Sequence, residues 1–291
     1  MTKEAELKNL VQQKYSEIAL QDKGTNQSSC CGAGSCSTEV RRTEGGTTEV
    51  YNIMSEDYAE LEGYNADADL GLGCGLPTQF ARIKKGDTVI DLGSGAGNDC
   101  FVARHETGET GKVIGIDFTP SMLAKARENA EKRGFTNVEF RQGDIEDMPI
   151  GGNIADVIVS NCVLNLVPNK NGVFKEIYRV LKPGGHFSIS DIVLKGELPN
   201  ALQEDAEMYA GCVAGAIQKH HYLSMIHANG FEEITVQKDK AIIIPADILG
   251  RYLSPAEIES FNHGETGIRS ITVFARKPLE DKCCVPGAGC C

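Results

Sequence analysis

Between Thr88 and Asp191 the chain alternates short apolar runs with longer stretches of mixed polarity. Thr88-Val89-Ile90-Asp91-Leu92 is one such run and ends in glycines; Lys112 to Asp117, Val138 to Phe140, Ala155 to Ser160 and His186 to Asp191 repeat the pattern. Short apolar runs of this length read as strands. The intervening segments carry helix punctuation. Thr119 stands at a cap position, Pro120 follows at the first helical position, and Gly134 stops the helix near Arg133. A further helix, from about Asn171 to Leu181, ends at Lys182-Pro183-Gly184-Gly185, because proline cannot continue it. Alternation of this kind predicts an α/β fold with a doubly wound, largely parallel sheet.

The flanks read differently. Lys3 to Leu20 places Leu7, Leu10, Val11 and Ile18 near one helical stripe. A polar stretch then leads into Cys30-Cys31-Gly32-Ala33-Gly34-Ser35-Cys36, a loop by its Gly and Ser content. After the fifth strand come a helical stretch from about Pro199 to Ala228, a strand at Ile234 to Gln237, a loop-rich segment, and a closing strand from Ser270 to Ala275. The expected organisation is an N-terminal helix and Cys-rich loop over residues 1–50, a cofactor-binding domain over 51–195, a substrate-binding lid with the closing strands over 196–277, and a flexible Cys-rich tail over 278–291.

Charge narrows the partners. Twenty-nine basic against 41 acidic side chains leave a formal charge of −12, with no Lys/Arg cluster to attract nucleic-acid phosphates. The chain has no apolar run long enough to span a membrane, and its charged first residues do not resemble a secretory signal, so a cytoplasmic protein is expected. Eleven cysteines in that setting point to metal binding or redox chemistry rather than a disulfide framework.

Asp91-Leu92-Gly93-Ser94-Gly95-Ala96-Gly97 lies between a strand and a helix, where glycines let the backbone turn tightly and approach a ligand. The third glycine comes two residues after the second, not three as in the dinucleotide fingerprint, which argues against a nicotinamide enzyme. Asp117 ends the second strand, where a carboxylate accepts hydrogen bonds from ribose hydroxyls, and Gly143-Asp144-Ile145 follows the third, where side chains flank an adenine ring. This run resembles the class I methyltransferase family. The resemblance implies a Rossmann-like, seven-stranded sheet with an antiparallel final strand, and S-adenosylmethionine as cofactor. It further implies that Asp91, Gly93, Gly95 and Gly97 hold the methionine part, Asp117 and Met122 the ribose and adenosine end, and Asp144 and Ile145 the adenine, with Asn161 also at the cofactor.

Three thiols stand near the same sheet edge. Cys162 follows the fourth strand, Cys74 sits in the loop Gly71-Leu72-Gly73-Cys74-Gly75-Leu76-Pro77, and Cys212 belongs to the segment after the fifth strand. Taken singly, each is as readily a small buried hydrophobe. Three converging thiolates suit a soft, three-coordinate ion such as trivalent arsenic better than zinc, which takes four ligands in a closed site. Cys100, near the start of a helix, would have its thiol pKa lowered there, although packing is the plainer role.

With Gly73-Cys74-Gly75, Gly95-Ala96-Gly97-Asn98-Asp99-Cys100, Ser160-Asn161-Cys162-Val163-Leu164-Asn165-Leu166 and Gly211-Cys212-Val213-Ala214-Gly215-Ala216, the chain is similar to the arsenite methyltransferase family. The resemblance implies that Cys74, Cys162 and Cys212 bind arsenic, as arsenite or methylarsenite, while Cys30 or Cys31 takes part in redox. The disulfide expected after turnover joins Cys30 or Cys31 to Cys74, with thioredoxin or glutathione as the reductant. Two other readings share features of this sequence: a methyltransferase of a sterol, quinone or amine, and a thiol-rich arsenic-binding protein without turnover.

Overall fold

A computed structural model describes residues 3–21, 41–42, 48–49, 56–197, 215–242, 249–250, 253–263 and 267–279. Seven strands form one sheet: β1 (Thr88–Leu92), β2 (Lys112–Asp117), β3 (Val138–Gln142), β4 (Ala155–Asn161), β5 (Leu181–Lys195), β6 (Glu232–Ile242) and β7 (Gly267–Arg276). Their order is β3-β2-β1-β4-β5-β7-β6. The first five are parallel, and β7 runs antiparallel between β5 and β6. This is the doubly wound sheet with the antiparallel final strand that the sequence led us to expect. The order reverses at β1 and β4, so a crevice opens at the carboxyl ends of those two strands, the place where open α/β sheets take ligands.

Both faces of the sheet are buried because successive residues point opposite ways. Ile90 and Leu92 join Ile114, Ile116, Ile158, Phe187 and Tyr222 on one face. Val89 joins Val113, Val157, Val159, Phe101 and Met122 on the other. The helices that cover these faces are α1 (Lys3–Ala19), α2 (Pro77–Phe80), α3 (Asn98–Thr107), α4 (Pro120–Lys132), α5 (Lys170–Val180) and α6 (Lys219–Ala228), while the described side chains of α7 (Pro255–His263) are mostly exposed. In α5 the buried residues Val173, Phe174, Ile177 and Val180 follow the helical repeat, and the Asn169 side chain caps the helix by accepting from the Gly172 N–H at 2.9 Å. Burying each large apolar side chain contributes on the order of 1.5–3 kcal/mol.

Four details differ from the expectations. Of the helical stretch expected from about Pro199 to Ala228, the described residues are helical only from Lys219; residues 215–218 are not, and 199–214 lie outside the described residues. Lys182-Pro183-Gly184-Gly185 forms a bulge inside β5, not a turn before it: Ala155 pairs with Leu181 and Val157 with His186, and the surplus residues loop out with Gly184 at φ 77°. Thr119 occupies the N-cap of α4 without a side-chain capping hydrogen bond, and its N–H donates to Asp117 Oδ1 at 2.8 Å. The loop-rich segment contains α7. Among the described residues no helix is long and apolar enough to cross a membrane.

Candidate functional site

The turn after β1 builds the floor of the crevice. The N–H groups of Gly93 and Ser94 both donate to Ile116 O, at 2.8 and 2.9 Å, folding the chain back over β2. Gly93, Gly95 and Gly97 all have positive φ, at 68°, 51° and 96°. A Cβ on Gly93 would strike Val163 at 2.5 Å, whereas one on Gly95 would meet nothing within 4 Å. Gly95 therefore faces open space, and that space is the pocket.

The pocket has a volume of about 1080 Å³ including its open mouth. Asp91, Gly93, Gly95, Asp117, Asp144, Ile145, Asn161 and Cys162 line it, as do Tyr58, Ser94 and Asp99. Met122 is fully buried in the core beside it, and Gly97 caps α3; neither belongs to the lining. Cys74 is fully buried next to Gly73, which does line the pocket. Cys30, Cys31, Cys212 and the paired cysteines of the tail lie outside the described residues.

Helix α1 supplies one wall through Lys8, Val11 and Tyr15. Lys8 Nζ pairs with Asp144 Oδ2 at 2.5 Å and with Glu146, while Gln12 Nε2 donates to Phe118 O at 3.1 Å. The apolar stripe of this helix was legible in the sequence. Its docking place was not, because its partners lie more than 100 residues away.

Asp91, Asp99 and Asp117 are buried carboxylates of the lining. Asp117 accepts N–H bonds from Gly95 at 3.0 Å and Thr119 at 2.8 Å, which fix its two oxygens while leaving lone pairs for hydroxyl donors. Burial nevertheless raises its pKa. Asp91 and Asp99 are buried too: Asp91 rises well above the ordinary range through burial and the charge of Asp99, and burial lifts Asp99 to about 6. Cys100 donates to Asp91 Oδ2 at 3.3 Å. Burial and Asp91 push that thiol well up, overriding the lowering expected from the helix terminus. These residues suit S-adenosylmethionine. Among the described residues no cation pairs with the buried Asp91 or Asp99, which would welcome its positive charge, and none bonds the buried Ser94 Oγ, while Gly95 leaves room for close approach.

Cys162 has φ 61°, a left-handed backbone that costs an L-residue about 1–2 kcal/mol. Its N–H donates to Ser190 O at 2.8 Å, holding it against β5. Cys74 comes to the same region. Its N–H donates to Asn161 Oδ1 at 3.0 Å, and its carbonyl accepts from Ser270 Oγ. Both thiols lie within electrostatic reach of the buried Tyr222 hydroxyl, whose pKa they raise after burial itself and Asp191. Two of the three expected arsenic ligands therefore share one neighbourhood beside the pocket.

A family model described as a methyltransferase domain matches residues 83–230. An arsenite methyltransferase of Halobacterium salinarum is 42% identical over 271 residues, covering 88% of this chain and 66% of that protein. One from Aquipseudomonas alcaligenes is 34% identical over 257 residues, covering 86% and 69%. This chain belongs to the arsenite methyltransferase family. It spans about two thirds of the length of these curated relatives. Among solved structures, an arsenic(III) S-adenosylmethionine methyltransferase from Chlamydomonas reinhardtii is similar at 31% identity with a TM-score of 0.58, covering 74% of this chain and 68% of that one.

Sequence reasoning passed over Tyr58, Asp99, Ser94 and Lys8. Asp99 sits in the first turn of α3, where an acidic residue reads as a partner of the helix dipole. Ser94 stands within the glycine loop but between the positions that the motif fixes, and Tyr58 and Lys8 carry no local signal.

Proposed function

We propose that this protein transfers a methyl group from S-adenosylmethionine to trivalent arsenic, in arsenite or methylarsenite, held by Cys74, Cys162 and Cys212. One observation carries the reading: Cys162 lines the cofactor pocket on strained backbone, and the residue before it is hydrogen-bonded to the loop bearing Cys74. Strain of this kind persists where the surroundings over-determine a position, as at ligand sites.

The cofactor supplies an electrophilic methyl group. In this reading Asp91 and Asp99 face its positive charge, Asp117 accepts from the ribose hydroxyls, and Asp144 and Ile145 flank the adenine. Gly93, Gly95 and Gly97 shape the turn, with Met122 packed in the core beside it. Asn161 orders the junction between cofactor and thiols.

The thiols take the substrate by exchange. Each S–H bond and each As–OH bond is replaced by an As–S bond and a water molecule, so three exchanges bind arsenite and two bind methylarsenite. Arsenic keeps its lone pair and has no proton to lose, so no general base is needed. Positioning is then the protein's main contribution, and near-attack alignment supplies on the order of 7–11 kcal/mol in favourable cases. Methylation raises arsenic to the pentavalent state. Two electrons from Cys30 or Cys31 with Cys74, closing to a disulfide, return it to trivalent, and thioredoxin or glutathione reopens the pair.

The test is direct. Purified protein with S-adenosylmethionine, a thiol reductant and arsenite is sampled over time and its arsenic species are separated. Methylated arsenic that accumulates only with all components supports the reading. Tight arsenite binding without turnover would favour sequestration and overturn it.

A further inference from the structure

The Cys74 loop is tied to the cofactor helix by a buried chain of hydrogen bonds that runs through one hydroxyl. Tyr58 is 5% exposed, and its hydroxyl lies 2.8 Å from Asp99 Oδ2 and 3.2 Å from Gly75 O. It has one proton to give, and the closer, charged acceptor takes it. Asn161 Nδ2 has two protons, one for the Tyr58 hydroxyl and one for Gly75 O at 2.8 Å. The same amide's Oδ1 accepts the Cys74 N–H. The loop is also pressed close on both sides of the thiol. A Cβ on Gly73 would lie 2.6 Å from Asn161 Nδ2, and one on Gly75 would lie 2.5 Å from Ser190 Oγ.

We infer that Tyr58 is a positioning residue: its hydroxyl, anchored on Asp99, orients the Asn161 amide that fixes the backbone of Cys74 beside Cys162. Without the hydroxyl, one Asn161 N–H loses its partner. The nearest substitute is Asp99 Oδ2, already 3.3 Å away, and turning toward it draws the amide off Gly75 and Cys74. Helix α3 begins at the glycine turn of the cofactor site, so the chain joins the two halves of the reaction through Asp99.

The inference rests on the proposed function for the role of Cys74 but is tested independently of activity. In Tyr58→Phe, which keeps the ring and its packing, the rate of Cys74 alkylation by iodoacetamide is followed by mass spectrometry, with Cys100, equally buried, as internal reference. Cys74 labelling should rise about tenfold, the size of effect that loss of one buried hydrogen bond produces, while Cys100 labelling stays constant. No change at Cys74, or a parallel rise at both cysteines, overturns the inference. On the active protein the same substitution should slow arsenite methylation more than methylarsenite methylation, a split that general destabilisation would not produce. An equal loss on the two substrates counts against it. Absence of any arsenite-dependent methylation in the unaltered protein would instead defeat the proposed function, leaving the labelling result to stand alone.

Discussion

Acidification should weaken cofactor binding in a way that traces to two buried carboxyls. Asp91 and Asp99 both hold protons more tightly in the folded protein than in an unfolded chain, where aspartate titrates near 3.9. For Asp99, moving from 3.8 to about 6 corresponds to about 3 kcal/mol. The sign follows from linkage: a raised folded pKa favours the native state below the unfolded value, and that advantage disappears as pH rises through about 6. At neutral pH the ligand-free pocket therefore carries an ionised Asp99 at a cost. A cationic cofactor beside it favours the ionised form, so binding near pH 6 expels a proton. Below that pH the dissociation constant should rise by roughly tenfold per pH unit for each proton expelled. Isothermal titration calorimetry at about pH 5.5 in two buffers of different ionisation heat counts those protons directly. We expect close to one per site from Asp99 with a further contribution from Asp91, and fewer in Asp99→Asn. S-adenosylhomocysteine, which lacks the sulfonium charge, should release fewer as well. Equal heats in both buffers, with an affinity independent of pH from about 5 to 8, would refute the reasoning.

The last two glycines of the turn should fail in different ways. Gly97→Ala places a methyl 2.9 Å from Phe140 and 3.0 Å from Phe101 at φ 96°, and denaturant titration should show a loss of about 2–4 kcal/mol. Gly95→Ala meets no atom, so calorimetry should find a smaller stability loss but weaker cofactor binding; the same behaviour from both would contradict the geometry. Lys8→Ala removes the link from α1 to Asp144 and Glu146, and should raise the cofactor dissociation constant roughly two- to fivefold at low ionic strength and less at high salt. Cys162→Ser and Cys212→Ser should each abolish methylation of arsenite and methylarsenite alike, whereas Cys74→Ser should spare methylarsenite; arsenic speciation on both substrates checks this division.

How far the sequence reaches depends on the range of the interactions involved. The strands were legible where they hold a local apolar run, although only Ile234 to Gln237 of the largely polar β6 was, and the glycine turn was legible because its φ values admit few other residues. The bulge in β5 was not, since whether Pro183-Gly184 ends a strand or loops out of one depends on pairing with Ala155 and Val157 across the sheet. Side-chain hydrogen bonds were the least legible. Asn161 reads locally as the end of a strand, yet its amide meets a hydroxyl 103 residues earlier and a backbone N–H 87 residues earlier. The cysteines stood out because few other residues bind a soft ion. What holds Cys74 is an amide, a phenol and a carboxylate, residue types that occur throughout the chain for ordinary reasons. Chemistry rare enough to be read from composition thus depends here on common groups that only the folded chain brings together. Substitutions at Tyr58 and Asn161 should therefore disturb the thiol site without changing any sulfur.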